Sequence, residues 1–224
     1  MVRVRMKTCC TKQRIAREWF GPTLACRQRP LRLVDGRYSG PVPFTVVYDA
    51  CVLYPASLRD ILIRVGQAGL VHVRWTERIL DECFRGILRD RPDLDPERLR
   101  RTRKLMGEAI RDVLVEGYEH LVAGLELPDE DDRHVLAAAI KAGARIIVTF
   151  NLQDFPPNQL GEINAQTPDT FLYNLIDLSP VAVAHVIRTM EQDLRSRPGL
   201  DHVLASLKRA GLPESVEAVR RYLW

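Results

Sequence analysis

Residues 129–149, DEDDRHVLAAAIKAGARIIVT, decide the fold class because a helix pattern runs directly into a strand pattern. Apolar side chains recur at helical spacing from Val135 to Ile140, and Gly143 is the residue type that commonly ends a helix. The next run is apolar throughout its centre, which is typical of a parallel strand covered on both faces. We therefore predict a helix over 129–143 and a buried strand over 145–149.

The same alternation extends in both directions from this unit. Four more short apolar runs have the character of strands, at 44–48, 71–74, 112–115 and 163–166. Helices are predicted from Pro55, from the N-cap Thr76, from Pro96 and near Pro168. Strands that alternate with helices predict an α/β fold of three layers, α/β/α, with a mostly parallel central sheet. From Pro180 to Trp224 only helical patterns occur; these extra helices either form a surface for a partner or, as we expect, pack on the body.

The chain divides into three parts by charge and pattern. Its net charge of +4 arises in residues 1–40, which carry +8, whereas the remaining residues carry −4. We predict a basic, disordered extension over 1–40, or residues added by an upstream start, then a domain over 43–178 and a helical extension over 179–224. A mildly acidic body does not attract phosphate backbones by bulk charge, so any nucleic-acid activity requires a local site.

Composition excludes some classes of protein. No apolar run approaches the ~20 residues that a membrane helix needs, so we expect no membrane association. The five cysteines are odd in number and form no C-x-x-C pair, which argues against a zinc site and a disulfide framework. A reducing cytoplasm is the expected location.

Two carboxylates follow predicted buried strands. Asp49 comes directly after the strand at 44–48, and Asp154 lies just past the strand at 145–149. Ligand crevices in parallel sheets lie beyond the carboxyl ends of the strands. Each residue could instead be a simple cap or turn residue, and the pattern leaves that alternative open.

Two further acids lie on predicted helices. Asp132 is in phase with the buried stripe of its helix rather than with solvent. If Asp129 is the N-cap, however, Asp132 could simply stabilise the helix terminus. Glu82 lies at the margin of an apolar stripe, where a surface glutamate is equally comfortable, with Asp81 and Glu77 as nearby rivals.

Carboxylates at strand ends and at one end of a helix can converge on one crevice. Clustered carboxylates repel, and a divalent cation lets them coexist. Oxygen ligands without partnering His or Cys favour Mg²⁺ or Mn²⁺. Such sites usually act on phosphates.

Four separated motifs, in this order, resemble the PIN-domain family, and most closely its VapC-type toxins of toxin–antitoxin pairs. The resemblance covers about residues 43–175 and implies a metal-dependent ribonuclease on a three-layer α/β/α fold. The motifs are VVYDACVLYP at 46–55, TERILDE at 76–82, LPDEDDRHVLAAA at 127–139 and IVTFNLQDFP at 147–156.

The resemblance also implies roles for individual residues. The family's acids fall on the residues identified above, with Mg²⁺ or Mn²⁺ as the bound ion and Asp129 as the reserve for the third acid. Thr149 and Asn151 line the same loop. Cys51 stands where related proteins usually have Asn, which could loosen a hydrogen bond beside Asp49. The carried-over acids are Asp49, Glu82, Asp132 and Asp154.

The expected partners follow from the same resemblance. They are an RNA substrate and an inhibitory antitoxin protein, while the oligomeric state stays open, with a homodimer among the options. Two other classes compete, a non-catalytic PIN-like module that binds RNA or protein, and a metal-dependent phosphatase or DNA nuclease. His134, beside Asp132, is expected to be a surface histidine.

Overall fold

The computed structural model describes residues 32–34, 37–39, 44–194 and 199–223. The strands in these ranges are β1 (Arg32–Val34), β2 (Arg37–Ser39), β3 (Thr45–Tyr48), β4 (His72–Arg74), β5 (Ile146–Val148) and β6 (Asn164–Gln166). The helices are α1 (Ala50–Leu53), α2 (Ala56–Gln67), α3 (Glu77–Asp90), α4 (Pro96–Ala109), α5 (Glu119–Val122), α6 (Arg133–Lys141), α7 (Pro168–Leu178), α8 (Pro180–Asp193), α9 (Leu200–Arg209) and α10 (Pro213–Arg220). Single 3₁₀ turns lie at Glu130–Asp132, Leu152–Asp154 and Pro157–Gln159.

The central sheet has four strands in the order β4-β3-β5-β6, and every neighbouring pair is parallel. Its two middle strands are short and apolar, and all three residues of β5 are buried. Tyr48 of β3 pairs in register with Val148 of β5, so both strands end at the same level of the sheet. The predicted α/β class is confirmed.

Helices cover both faces of this sheet. The chain leaves β3 through α1 and α2 to reach β4 on one side, and then passes through α3 to α6 to reach β5 on the other side. Because such crossovers are right-handed, the two connections lie on opposite faces. The predicted three-layer α/β/α architecture follows.

The predicted helix at 129–143 starts differently in the structure. Asp129 Oδ1 accepts a hydrogen bond of 2.9 Å from the Asp131 backbone N–H, which closes a 3₁₀ turn ahead of α6. Gly143 has a φ of +60°, so the chain can turn sharply from α6 into β5. The boundary prediction was wrong at the N-terminal end because side-chain capping there favours a tighter turn.

The predicted strand at 112–115 is also corrected. Among the described residues, only a single parallel bridge between Trp75 and Leu114 marks it. Val115 N–H donates to Trp75 O at 2.9 Å, and Trp75 N–H donates to Val113 O at 3.0 Å. The segment therefore contacts the chain just after β4 without forming a strand.

The C-terminal helices pack on the body, as expected. Helix α8 lies against α2 and α7, and α10 lies against α7. Val183 and Ile187 of α8 are buried in the same hydrophobic core as the sheet residues. Within the described ranges no single helix has both the length and the apolar composition to cross a membrane; α7 and α8 meet that test only when joined, and they are bent by 119°.

The predicted disorder of residues 1–40 falls outside the described residues, apart from β1 and β2. These two strands form an antiparallel pair in which Leu33 lies opposite Tyr38.

Candidate functional site

Asp49 lies at the carboxyl end of β3, directly before α1. It is 4% exposed, and its backbone N–H donates to Val148 O of the neighbouring strand at 3.1 Å. Oδ1 accepts from the Ala50 N–H at 2.6 Å, so the cap interpretation is correct for that oxygen. A buried carboxylate must be hydrogen-bonded or paired, and Oδ2 takes part in a separate network.

That network joins β3 to β5 through Oδ2 of Asp49. Thr149 Oγ1 donates to it at 2.7 Å, and Cys51 Sγ donates to it at 3.1 Å. Burial, followed by the charge of Asp49, raises the pKa of the Cys51 thiol to about 12, so the thiol keeps its proton and serves as a donor. The cysteine therefore retains a hydrogen bond to Asp49.

The loop after β5 continues this network. Phe150 N–H donates to Cys51 Sγ at 3.3 Å, and Asn151 N–H donates to Thr149 Oγ1 at 3.0 Å. Asn151 itself is exposed, and Asp154 is half-buried at the end of the 3₁₀ turn Leu152–Asp154. Thr149 thus organises the loop that leads to Asp154.

Asp132 ends the 3₁₀ turn before α6 and is half-buried. Its side chain makes no capping hydrogen bond, whereas Asp129 caps the turn, so capping does not account for Asp132. Burial is the largest cause that raises the pKa of Asp132 to about 7, and the negative charges of Asp49, Asp129, Asp154 and Glu82 add to it. The structure therefore brings four other carboxylates within electrostatic reach of Asp132.

Glu82 projects from α3 and is held by two partners. Arg78 Nε donates to Glu82 Oε1 at 3.1 Å, and His134 Nε2 lies 3.1 Å from the same oxygen. Burial acts to raise the pKa of Glu82, but the contacts with His134 and Arg78 outweigh it and lower that pKa below its usual value. Both rivals, Glu77 and Asp81, form ion pairs with Arg103 instead.

His134 is 1% exposed, so the prediction of a surface histidine was wrong. Neither imidazole nitrogen has a well-aligned hydrogen-bond partner among the described residues, although Nε2 is close to Glu82. The contact is therefore a close approach of Nε2 to Glu82 Oε1 without a well-aligned hydrogen bond. Residue spacing on α6 alone does not reveal it, because it depends on how α3 packs beside α6.

An open cavity of about 520 Å³ lies in front of Glu82 and Asp132. Asp49 and Asp154 are outside its lining. The cavity is lined by Arg78, Glu82, Arg85, Asp131 and Asp132.

The donor set fits a hard divalent cation in its chemistry. The groups that act on Asp132 are all carboxylates. Their negative charges repel that of Asp132, and Mg²⁺ or Mn²⁺ can neutralise such charges. In the part of the chain that the structure describes, no three such side chains are already arranged to hold an ion.

Comparison with known families decides the relationship. Residues 45–153 match the family model described as "PIN domain". This segment contains three of the four predicted acids, and the fourth, Asp154, is the next residue. This segment belongs to the PIN-domain family. C-terminal to this segment, residues 168–221 match the model described as "VapC50 C-terminal domain", and this match begins at the first residue of α7.

One curated relative of the PIN-domain chain carries the name "Putative ribonuclease VapC50", from Mycobacterium tuberculosis (strain ATCC 25618 / H37Rv). It is 36% identical over 107 residues, which make up 47% of this chain and 63% of the relative. The matched segment thus spans less than two thirds of that relative. No solved structure matches the chain significantly.

Sequence reasoning missed the positive charges beside the PIN-domain acids. Arg78, Glu82 and Arg85 are spaced four and three residues apart, which places them on one face of α3. That spacing was a usable signal. Only the cavity shows that this face is the wall opposite Asp132.

Proposed function

We propose that this PIN-domain chain is a metal-dependent endoribonuclease that hydrolyses RNA phosphodiester bonds. The observation that carries the proposal is the position of Asp132, whose carboxyl lies in the combined field of Asp49, Glu82 and Asp154 at the carboxyl edge of the sheet. The match to the PIN-domain model and the name of the relative support the same activity.

The proposed ligands of Mg²⁺ or Mn²⁺ are Asp49, Glu82, Asp132 and Asp154. A bound ion of this kind makes an attacking water more acidic and stabilises charge on the leaving 3′-oxygen. The protein's own contribution is to hold these acids in place. Thr149 orients Asp49, and Arg78 with His134 restrains Glu82.

Asp132 also needs to lose its proton before it can serve as a ligand. With its pKa raised to about 7, the metal-free carboxyl is partly protonated near neutral pH, so ion binding releases protons. The proposed activity should therefore fall below neutral pH.

We further propose that the chain is the toxin of a toxin–antitoxin pair and acts in the cytoplasm, with a small antitoxin protein as its inhibitor. The family description "VapC50 C-terminal domain" for residues 168–221 supports this assignment. An acidic body with a local site agrees with a selective RNA substrate.

Incubation of the full chain with RNA, single-stranded DNA and a phosphomonoester tests the activity, each with Mg²⁺, Mn²⁺ or EDTA. We expect cleavage of RNA alone, loss of cleavage in EDTA, and products with 5′-phosphate and 3′-hydroxyl ends. Contaminating metal-independent ribonucleases leave 2′,3′-cyclic phosphates, so the product ends identify the source of the activity.

Matched variants complete this test. Asp49→Asn and Glu82→Gln should abolish cleavage, whereas Glu77→Gln, on the same helix but paired with Arg103, should retain it. Equal cleavage by the Asp49→Asn variant would refute the proposal. RNA binding without cleavage would favour a non-catalytic PIN-like module, and release of phosphate from the monoester would favour a phosphatase.

A further inference from the structure

Arg78 and Arg85 flank Glu82 on α3 and line the same cavity as Glu82 and Asp132. Arg78 precedes Glu82 by one helical turn, and Arg85 follows it by another. The cavity of about 520 Å³ is open to solvent, and all of its lining residues are charged. Positive and negative side chains thus line one opening.

The two arginines differ in how their charge is used. Arg78 Nε is bonded to Glu82 at 3.1 Å, and its Nη2 lies 3.4 Å from Asp131 O. Arg78 is therefore neutralised within the protein and restrains Glu82.

Arg85 is exposed, and in the described part of the chain it has no such partner. Its Nε donates to Asp81 O at 3.3 Å, and within the described ranges no carboxylate lies within ion-pair distance of its guanidinium. The Asp81 carboxylate on the preceding turn is already paired with Arg103. The two terminal nitrogens of Arg85 therefore remain available to an anion that enters the cavity.

A guanidinium in this position suits a phosphate, because its parallel N–H groups match the oxygens of that anion. An uncompensated positive charge would also reduce the repulsion between an incoming phosphate and the carboxylates beside it. We propose that Arg85 binds a backbone phosphate of the RNA substrate, an inference that rests on the proposed function.

The test measures RNA binding rather than cleavage. In the Asp49→Asn background with Mg²⁺ present, a short fluorescein-labelled single-stranded RNA is titrated at several salt concentrations. Removing one phosphate contact with Arg85→Gln should make the negative slope of log affinity against log salt less steep by about 0.7 and weaken binding about fivefold at low salt.

Two further variants make the result specific. Arg89→Gln is the matched control, since Arg89 is one turn further along α3, is paired with Asp90 and does not line the cavity. It should leave the slope unchanged. Arg85→Lys keeps one positive charge, so the slope should persist while the affinity falls through loss of the two-pronged contact.

The possible outcomes distinguish the role of Arg85 from the proposed ribonuclease activity. An unchanged slope in Arg85→Gln, with RNA cleaved normally by the wild-type chain, would overturn the role of Arg85 and leave the proposed function standing. A less steep slope in Arg85→Gln, together with a wild-type chain that binds RNA but does not cleave it, would support the binding role and refute the proposed activity. Absence of any RNA binding would overturn both.

Discussion

Thr149 Oγ1 donates a hydrogen bond of 2.7 Å to Asp49 Oδ2, across two neighbouring parallel strands and 100 residues of chain. Both residues are buried, and each follows a strand that ends at the same level of the sheet. The bond therefore links the β3 end of the proposed site to the loop that carries Asp154.

Replacing Thr149 with valine preserves the shape of the side chain and removes this bond. Asp49 would keep only the weaker thiol donor on Oδ2, and the Asn151 N–H would lose its acceptor. We expect the free energy of unfolding to fall by about 1–2 kcal/mol in urea titrations. RNA cleavage should fall by about 10- to 100-fold, as for other residues that orient metal ligands.

Thr149→Ser retains the hydroxyl and should recover most of the activity. Thr102→Val on α4, where the hydroxyl only bonds Arg98 O, should change neither quantity substantially. Full activity in Thr149→Val would show that Asp49 does not need this support.

The raised pKa of Asp132 predicts a pH-dependent loss of stability in the metal-free protein. Between about pH 4 and about pH 7 the folded state holds a proton that the unfolded chain has released. Since the folded state binds more protons, this group's contribution to the free energy of unfolding falls as pH rises through that window. Asp132→Asn removes the effect and should raise the melting temperature at about pH 8, with little difference near pH 4.

With Mg²⁺ or Mn²⁺ at the higher pH, the wild-type protein should melt at a higher temperature than Asp132→Asn. An ion that binds only the folded wild-type protein raises its melting temperature, and loss of one ligand in Asp132→Asn weakens that gain. Asp131→Asn is the control, because Asp131 is the neighbouring residue and its side chain is 95% exposed. Parallel pH curves for wild type and Asp132→Asn would contradict the assigned pKa.

Asp169 should stabilise the C-terminal helices without affecting the proposed chemistry. Its carboxylate accepts hydrogen bonds from the Ser215 N–H at 2.8 Å, the Ser215 hydroxyl at 2.7 Å and the Glu214 N–H at 3.0 Å, at the start of α10. Asp169→Ala removes this cap, and a loss of about 1–2 kcal/mol of stability is expected.

Limited proteolysis would detect the change as faster cleavage near α10. RNA cleavage per folded molecule should remain near the wild-type rate. The control is Asp177→Ala, an exposed residue on α7, the helix that also carries Asp169, and it should alter neither the proteolysis nor the RNA cleavage. A large drop in cleavage by folded Asp169→Ala would mean that the C-terminal helices contribute to the site.

Much of the fold was predictable because its strands are short, apolar and bounded by clear helix signals. The buried strands β3 and β5, the Thr76 cap and the helix from Pro168 follow from local patterns. Asp49 and Asp154 could be proposed as site residues for a related reason, since parallel strands point their carboxyl ends to one edge. Boundaries were less predictable, as the tight turn capped by Asp129 shows.

Sequence by itself determined the layer architecture and which acids to propose for the site, because hydrophobic periodicity and strand-end position are local properties of the chain. Only the tertiary structure decided that His134 is buried against Glu82, that Asp132 carries a raised pKa and that Arg85 lines the same cavity as Glu82 and Asp132. Burial and electrostatic fields depend on side chains brought together from distant segments, and their strength falls with distances that spacing along the chain does not specify.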